Sequence, residues 1–250
     1  MSPTTLIFGG SGKVARHLTK QLASQGHTVH SIIRKPEQKS SIEDLGGKPI
    51  VASIEESSVE DMAKIMTDTK TDAVVWSAGA GGGSPERTWA VDRDGAIRSM
   101  DATAQAGVKR YIMVSAIDIR DRENKPEPEW YNDDDRQRSK GMWDAIGTYC
   151  LAKLAADKNL VTENGRRGLD YTIVRPTRLS EDAGRGKIAA GRVHLGEAIP
   201  REDVASVVIE CMRNEKTTGL AFDCVGGEMP ISAAIGKVAD ERLDQFKGFH

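Results

Sequence analysis

The stretch Leu6-Ile7-Phe8-Gly9-Gly10-Ser11-Gly12-Lys13-Val14-Ala15 leaves this chain few folds to choose from. Its short apolar run reads as a buried strand. The glycines follow at G-x-x-G-x-x-A spacing, and Val14, Leu18 and Leu22 then recur at helical intervals. Strand, glycine turn and helix in that order give a weak glycine pattern its meaning as a dinucleotide site. Gly9 supplies a tight turn at backbone angles that other residues avoid. Gly12 has no Cβ to keep a diphosphate away, and Ala15 lets the helix sit close on the strand. The free N–H groups and positive dipole end of the helix complete an anion site. Gly9, Ser11, Gly12, Lys13 and Val14 are therefore the expected diphosphate contacts.

The rest of the chain repeats the alternation. Strands are expected at 6–8, 28–34, 48–52, 72–77, 109–115, 170–175 and 220–225, with a short one at 193–195. Helices are expected at 12–25, 42–45, 57–66, 91–106, 148–163, 201–213 and 231–242. The glycine-rich run 78–83 follows the fourth strand as a flexible turn. This rhythm predicts an α/β fold, a doubly wound parallel (Rossmann) sheet with helices on both faces and right-handed crossovers. The C-terminal third reads as a small substrate-facing subdomain on a single domain spanning 1–250. Between about 118 and 147 the rhythm breaks into a proline-rich, charged stretch carrying Trp130, Tyr131 and Trp143. It reads either as a solvated surface insertion or as a partly helical lid over a ligand.

The candidate chemistry lies at strand ends, where open α/β sheets bind ligands. After the second strand come Arg34 and Lys35, with no acid until Glu37. A guanidinium there suits a 2′-phosphate, so NADP is expected over NAD. Tyr149 and Lys153 are four apart on a helix and share a face. Ser115 closes the fifth strand. Together they read as a carbonyl-reduction site, with Tyr149 as proton donor and Ser115 bonded to the substrate oxygen. Lys153 would lower the phenol pKa from its usual ~10 and hold the nicotinamide ribose.

These residues, with Ile33-Arg34-Lys35-Pro36, Val91-Asp92, Gly95, the run from Ala106 to Ser115, the run from Asp170 to Pro176, and Arg201-Glu202-Asp203-Val204-Ala205, make the chain resemble an atypical short-chain dehydrogenase/reductase of the NAD(P)-binding, NmrA-like kind over nearly its whole length. The resemblance implies that Pro176 and Thr177 lie beside the nicotinamide. It also implies that Ala78, Gly79 and Ala80 pass near its ribose and that Ser53 and Ile54 lie along the adenine. Where standard dehydrogenases carry Asn-Asn-Ala-Gly this chain has Trp76-Ser77-Ala78-Gly79, and Ser53 replaces the usual acid after the third strand.

Composition excludes other classes. A net charge of −2 argues against a nucleic-acid surface. No apolar run reaches the length of a membrane span. Nothing resembles a secretory leader, and Cys150, Cys211 and Cys224 read as reduced, buried thiols, so a cytoplasmic protein is expected. No metal-ligand spacing links the cysteines and histidines. Two functions fit: an NADP-dependent oxidoreductase acting on a small carbonyl, alcohol or activated alkene, or a non-catalytic NADP(H)-binding sensor or regulator. The expected partner is a small-molecule substrate, and no residue pattern speaks for a particular oligomeric state.

Overall fold

The computed structural model describes all residues except 1, 83, 197 and 249. Gly83, the end of the expected 78–83 turn, therefore lies outside the described residues. The first apolar run forms β1 (Thr4–Phe8), buried along its whole length. It feeds through the glycine turn into α1 (Lys13–Ser24), which turns Val14, Ala15, Leu18 and Leu22 inward. Then follow β2 (Thr28–Ile33), α2 (Lys39–Glu43), β3 (Lys48–Val51), α3 (Val59–Asp68), β4 (Ala73–Trp76), α4 (Pro85–Thr88), α5 (Ala96–Gln105), β5 (Arg110–Val114) and α6 (Asp133–Arg167). The chain continues with β6 (Asp170–Pro176), β7 (Leu179–Ser180), β8 (Lys187–Gly191), β9 (Ile199–Pro200), α7 (Arg201–Arg213), β10 (Leu220–Gly226), β11 (Met229–Pro230) and α8 (Ile231–Asp240).

Among the described residues, nine strands form one sheet in the order β11-β8-β10-β6-β5-β4-β1-β2-β3. From β10 to β3 all neighbours are parallel. Strands such as Ala73-Val74-Val75-Trp76 are buried at every position, as a sheet covered on both faces requires. One face packs Met62, Met66, Met100 and Leu160 against the sheet, and the other packs Leu18, Leu22, Val204, Val208 and Ile235. The strand order reverses at β1, which lies between β2 and β4. The crevice at the carboxyl ends of β1 and β4 is thus a topological switch point.

The helix expected at 42–45 lies at Lys39–Glu43, the short strands β7, β9 and β11 form where none is expected, and three longer stretches also depart from the sequence reading. The helix expected at 91–106 starts earlier, at Pro85, where proline suits a first helical position and Ser84 accepts from the Arg87 N–H. It passes through a π-type stretch at Trp89–Gly95 before α5. Stretches of this kind recur at functional sites. No strand forms at 193–195. Val193 and Leu195 instead pack with Ile117, Tyr131 and Val225, and the strand is β8, antiparallel to β10. Pairing with a preformed neighbour outweighs the weak strand propensity of Lys-Ile-Ala-Ala-Gly.

The third departure is the 118–147 stretch. Its second half is helical from Asp133, capped by Asn132 and Asp135 in a reciprocal box. It runs into the Tyr149 helix through a kink at Ile146 (φ −133°, ψ 34°). Buried Asp118 ties the stretch down, accepting from Arg120 (2.9 Å), the Tyr131 hydroxyl (3.0 Å), Ser139 (2.5 Å) and the Trp143 indole (3.2 Å). No described helix is long and apolar enough to cross a membrane. No described group of three or more His, Cys, Asp or Glu is placed to hold a metal ion.

Candidate active site

The glycine turn folds as its residues dictate. Gly9 has φ of 77°, and a Cβ there would fall 2.6 Å from the Ala78 Cα, so both the turn and its contact with the stretch that follows β4 need glycine. Gly10 N–H donates to the Ile32 carbonyl and Gly12 N–H to that of Gly9. No side chain caps α1. Its first-turn N–H groups are free to meet an anion, as a diphosphate requires.

Two cavities meet at this turn, both lined by Gly12, Ser77, Ala78 and Gly79. The larger, about 730 Å³, is bordered also by Lys13, Val14, Ser115, Tyr149, Lys153, Pro176 and Thr177. The smaller, about 230 Å³, is bordered by Gly9, Ser11, Arg34, Ile54 and Ala80. A long cleft divided at the glycine turn has the shape that an extended dinucleotide needs. Two expected residues line neither cavity. The Lys35 N–H is bound to Gln38 Oε1 at 3.0 Å, and Ser53 Oγ accepts from the Glu56 N–H at 3.2 Å. Gln38, Glu55 and Arg87 border the smaller cavity in their place.

Ser115, Tyr149 and Lys153 do converge on the larger cavity, but Ser115 and Lys153 have partners that sequence reading missed. The Lys153 ammonium is buried 3.2 Å from Asp92 Oδ1 and 5.7 Å from the Tyr149 ring centre. Asp92 also accepts the Ala80 N–H at 2.9 Å, which ties the turn after β4 to the lysine. Burial opposes the charge on Lys153, but Tyr149, Asp92 and Asp157 outweigh it and raise its pKa. Ser115 donates its proton to Asp157 Oδ2 at 2.7 Å. Burial pushes the Asp157 carboxyl up to about 6, against the pull of Arg175, Ser115 and Lys153.

The Tyr149 phenol moves opposite to expectation. Its pKa is raised, because burial outweighs the favourable field of Lys153. Lowering by Lys153 is present, but it is the smaller influence.

At the adenosine end, Arg34 is joined by Arg87, and Glu55 stands against both. The Arg87 guanidinium is 3.1 Å from Glu55 Oε1 and that of Arg34 is 3.9 Å away. A 2′-phosphate must therefore draw two guanidinium groups away from one carboxylate. Sequence proximity gave no sign of Glu55, which reaches the end of β2 from the loop after β3.

Residues 9–215 match a family model described as NAD(P)H-binding. The chain is 38% identical over 231 residues to a UPF0659 protein of Schizosaccharomyces pombe, covering 92% of each. It is 34% identical over 234 residues to a Bacillus subtilis protein described as an uncharacterized sugar epimerase, covering 93% of this chain and 98% of the relative. A solved structure assigned as an NAD-dependent epimerase/dehydratase of Bacillus halodurans superposes with a TM-score of 0.78 at 30% identity. That likeness covers 94% of this chain and 100% of the other.

Proposed function

Because the chain belongs to the NAD(P)H-binding family, we propose that it is a cytoplasmic NADP-dependent oxidoreductase acting on a small carbonyl, alcohol or activated alkene. One observation carries this reading. Tyr149 and Lys153 border a cavity of about 730 Å³ that is continuous with the glycine turn. The nicotinamide, beside Pro176 and Thr177, takes one part of this space, and a protein that only senses the nucleotide needs no apolar extension of it toward Met142, Ile146 and Leu195.

Bound NADPH supplies the hydride; the chain's own residues do the rest. The uncapped first turn of α1 holds the diphosphate, and Pro176 and Thr177 wall the nicotinamide end. Arg34 and Arg87 take the 2′-phosphate. Tyr149 gives its proton to the substrate oxygen as negative charge develops there. Lys153, held by Asp92, places its positive charge beside the phenol and stabilises the phenolate that remains. Ser115 donates to the substrate oxygen once Asp157 carries a proton. The carboxylic O–H then donates to Ser115 Oγ and frees the serine proton for the substrate. Residues 118–147 act as a lid, for Arg138, Met142 and Ile146 border the cavity.

The test is a carbonyl and enone screen read by loss of nicotinamide absorbance. Tyr149→Phe is expected to lower turnover ~10²–10⁴-fold with an unchanged NADPH Kd. Equal turnover in the variant refutes the role of Tyr149. The descriptions of the Bacillus relatives favour a second reading, a sugar epimerase. An epimerase returns the hydride to the substrate, so it interconverts sugar isomers without net consumption of nicotinamide.

A further inference from the structure

The larger cavity is electrostatically one-sided. Among the described residues, Lys13, Arg138, Lys153, Arg178 and Arg201 border it and no acidic residue does, although the whole chain carries a net charge of −2. Not all of this charge is free. Asp92 neutralises Lys153, and Lys13 and Arg201 share the one carboxylate of Glu181 at 2.5 and 2.8 Å. Arg138 has only a solvent-exposed pair with Asp134 at 2.9 Å, the kind that contributes little. Arg178 is exposed and forms no ion pair with any described residue.

The cofactor does not require these last two arginines. Its diphosphate has the glycine turn, and its adenosine end lies in the other cavity with Arg34 and Arg87. Arg138 is instead the start of a stripe on α6. Met142 and Ile146 follow at intervals of four, then Tyr149, and all four side chains border the cavity. Ile146 is 45% exposed, a large apolar side chain left open at the mouth. Leu195 lines the same space. Reading the stripe from end to end gives a guanidinium, an apolar stretch and a proton donor. At a helical rise of ~1.5 Å per residue the stripe from Arg138 to Ile146 is about 12 Å long, and the kink at Ile146 then leads to Tyr149.

We propose that the substrate is an amphipathic anion: an apolar body lying on Met142, Ile146 and Leu195, with a carboxylate, phosphate or sulfonate held by Arg138 and Arg178 at the end remote from the reacting carbon. The idea rests on the oxidoreductase reading and adds the substrate class to it. Arginine suits the task, since its planar fork meets an oxyanion with two parallel hydrogen bonds.

The test uses two fluorescent probes of similar shape, 8-anilinonaphthalene-1-sulfonate and the neutral N-phenyl-1-naphthylamine. Each is titrated into the full-length protein saturated with non-fluorescent NADP⁺. The sulfonate is expected to bind at least tenfold more tightly than the neutral probe, and to lose that advantage in 0.5 M salt. Arg138→Met with Arg178→Met is expected to equalise the two probes while the NADP⁺ Kd stays the same. Ile146→Asn is expected to weaken both probes. Equal affinities in the unaltered protein, or a preference that survives the double substitution, overturns the assignment. Should the double variant fail to fold, the comparison of probes and salt on the unaltered protein decides alone. Failure of NADP⁺ itself to bind refutes the cofactor reading, which separates the two ideas.

Discussion

The buried Lys153–Asp92 pair offers the sharpest quantitative test of the site. Its side chains are 3% and 0% exposed and its charged atoms are 3.2 Å apart. At an effective dielectric constant of ~20 the attraction is about 5 kcal/mol. Asp92→Asn keeps an acceptor for the Ala80 N–H but removes the charge. The carbonyls of Ala78 and Val114, each 3.5 Å from the ammonium, are too far to replace it. Breaking one side of a buried pair typically costs ~3–5 kcal/mol. At ~2–4 °C per kcal/mol for a chain of this size, the melting temperature should fall by roughly 6–20 °C. Lys153→Met should cost a similar amount, because it strands the carboxylate. The double variant leaves neither member of the pair charged and unpaired, so it should recover a large part of the loss, less the support that Lys153 gives Asp157. The measurement is a double-mutant cycle by urea unfolding at pH 7, repeated in 0.5 M salt, to which a buried pair should be nearly indifferent. Additivity of the two losses within ~0.5 kcal/mol would refute the coupling.

Three further outcomes follow from the same geometry. Arg34→Ala and Arg87→Ala should each weaken NADPH binding by about one to two decades and spare NADH, whereas Glu55→Gln should tighten NADPH; calorimetric titration of both cofactors reads all three. Gly12→Val should abolish binding of either cofactor in a folded protein, because an added Cβ would stand 3.0 Å from the Gly9 carbonyl at the mouth of the diphosphate site; circular dichroism with the same titration checks it. The reductive pH profile should carry two signatures. A raised phenol pKa keeps Tyr149 protonated, so no alkaline loss of activity should set in below the range where an ordinary phenol ionises. The proton on Asp157 is lost as pH rises through about 6, so activity should step down there, and Asp157→Asn, which donates to Ser115 at every pH, should remove the step.

The same carboxyl links activity to stability. Folded Asp157 holds its proton to about pH 6, whereas an unfolded aspartate releases it near 3.9. The folded state therefore binds the extra proton between those values, and stability declines as pH rises through that window. A group that weakens the fold at neutral pH, beneath a serine that faces the cavity, is better explained by the site than by the core.

Much of this was legible in the sequence because it depends on local order. Gly9, Gly12 and Ala15 fix the turn through their own backbone geometry and small size. The alternating apolar runs fix a sheet covered on both faces. Tyr149 and Lys153 share a helix face by spacing alone. The strand at 187–191 was illegible because its propensity is weak and its partner is distant: β8 exists by pairing with β10. Glu55 was illegible for a similar reason, since only the parallel pairing of β2 with β3 brings the loop carrying it beside Arg34.

Asp92 and Asp157 are different, because the sequence did carry a sign of them. Asp92 stands four residues before Ala96, on the line that continues through the buried Ser99 and Thr103. Asp157 stands four after Lys153 and three before buried Leu160. A carboxylate on the core-facing stripe of a helix is seldom left buried without a partner. Their place in the helical periodicity is enough to mark both as paired. What periodicity cannot supply is the partner, since Ser115 lies 42 residues from Asp157 and Lys153 reaches Asp92 from another helix. The sheet places those helices side by side. The polar groups around Tyr149 are thus consequences of strand order, and they are as specific to this fold as the glycine turn itself.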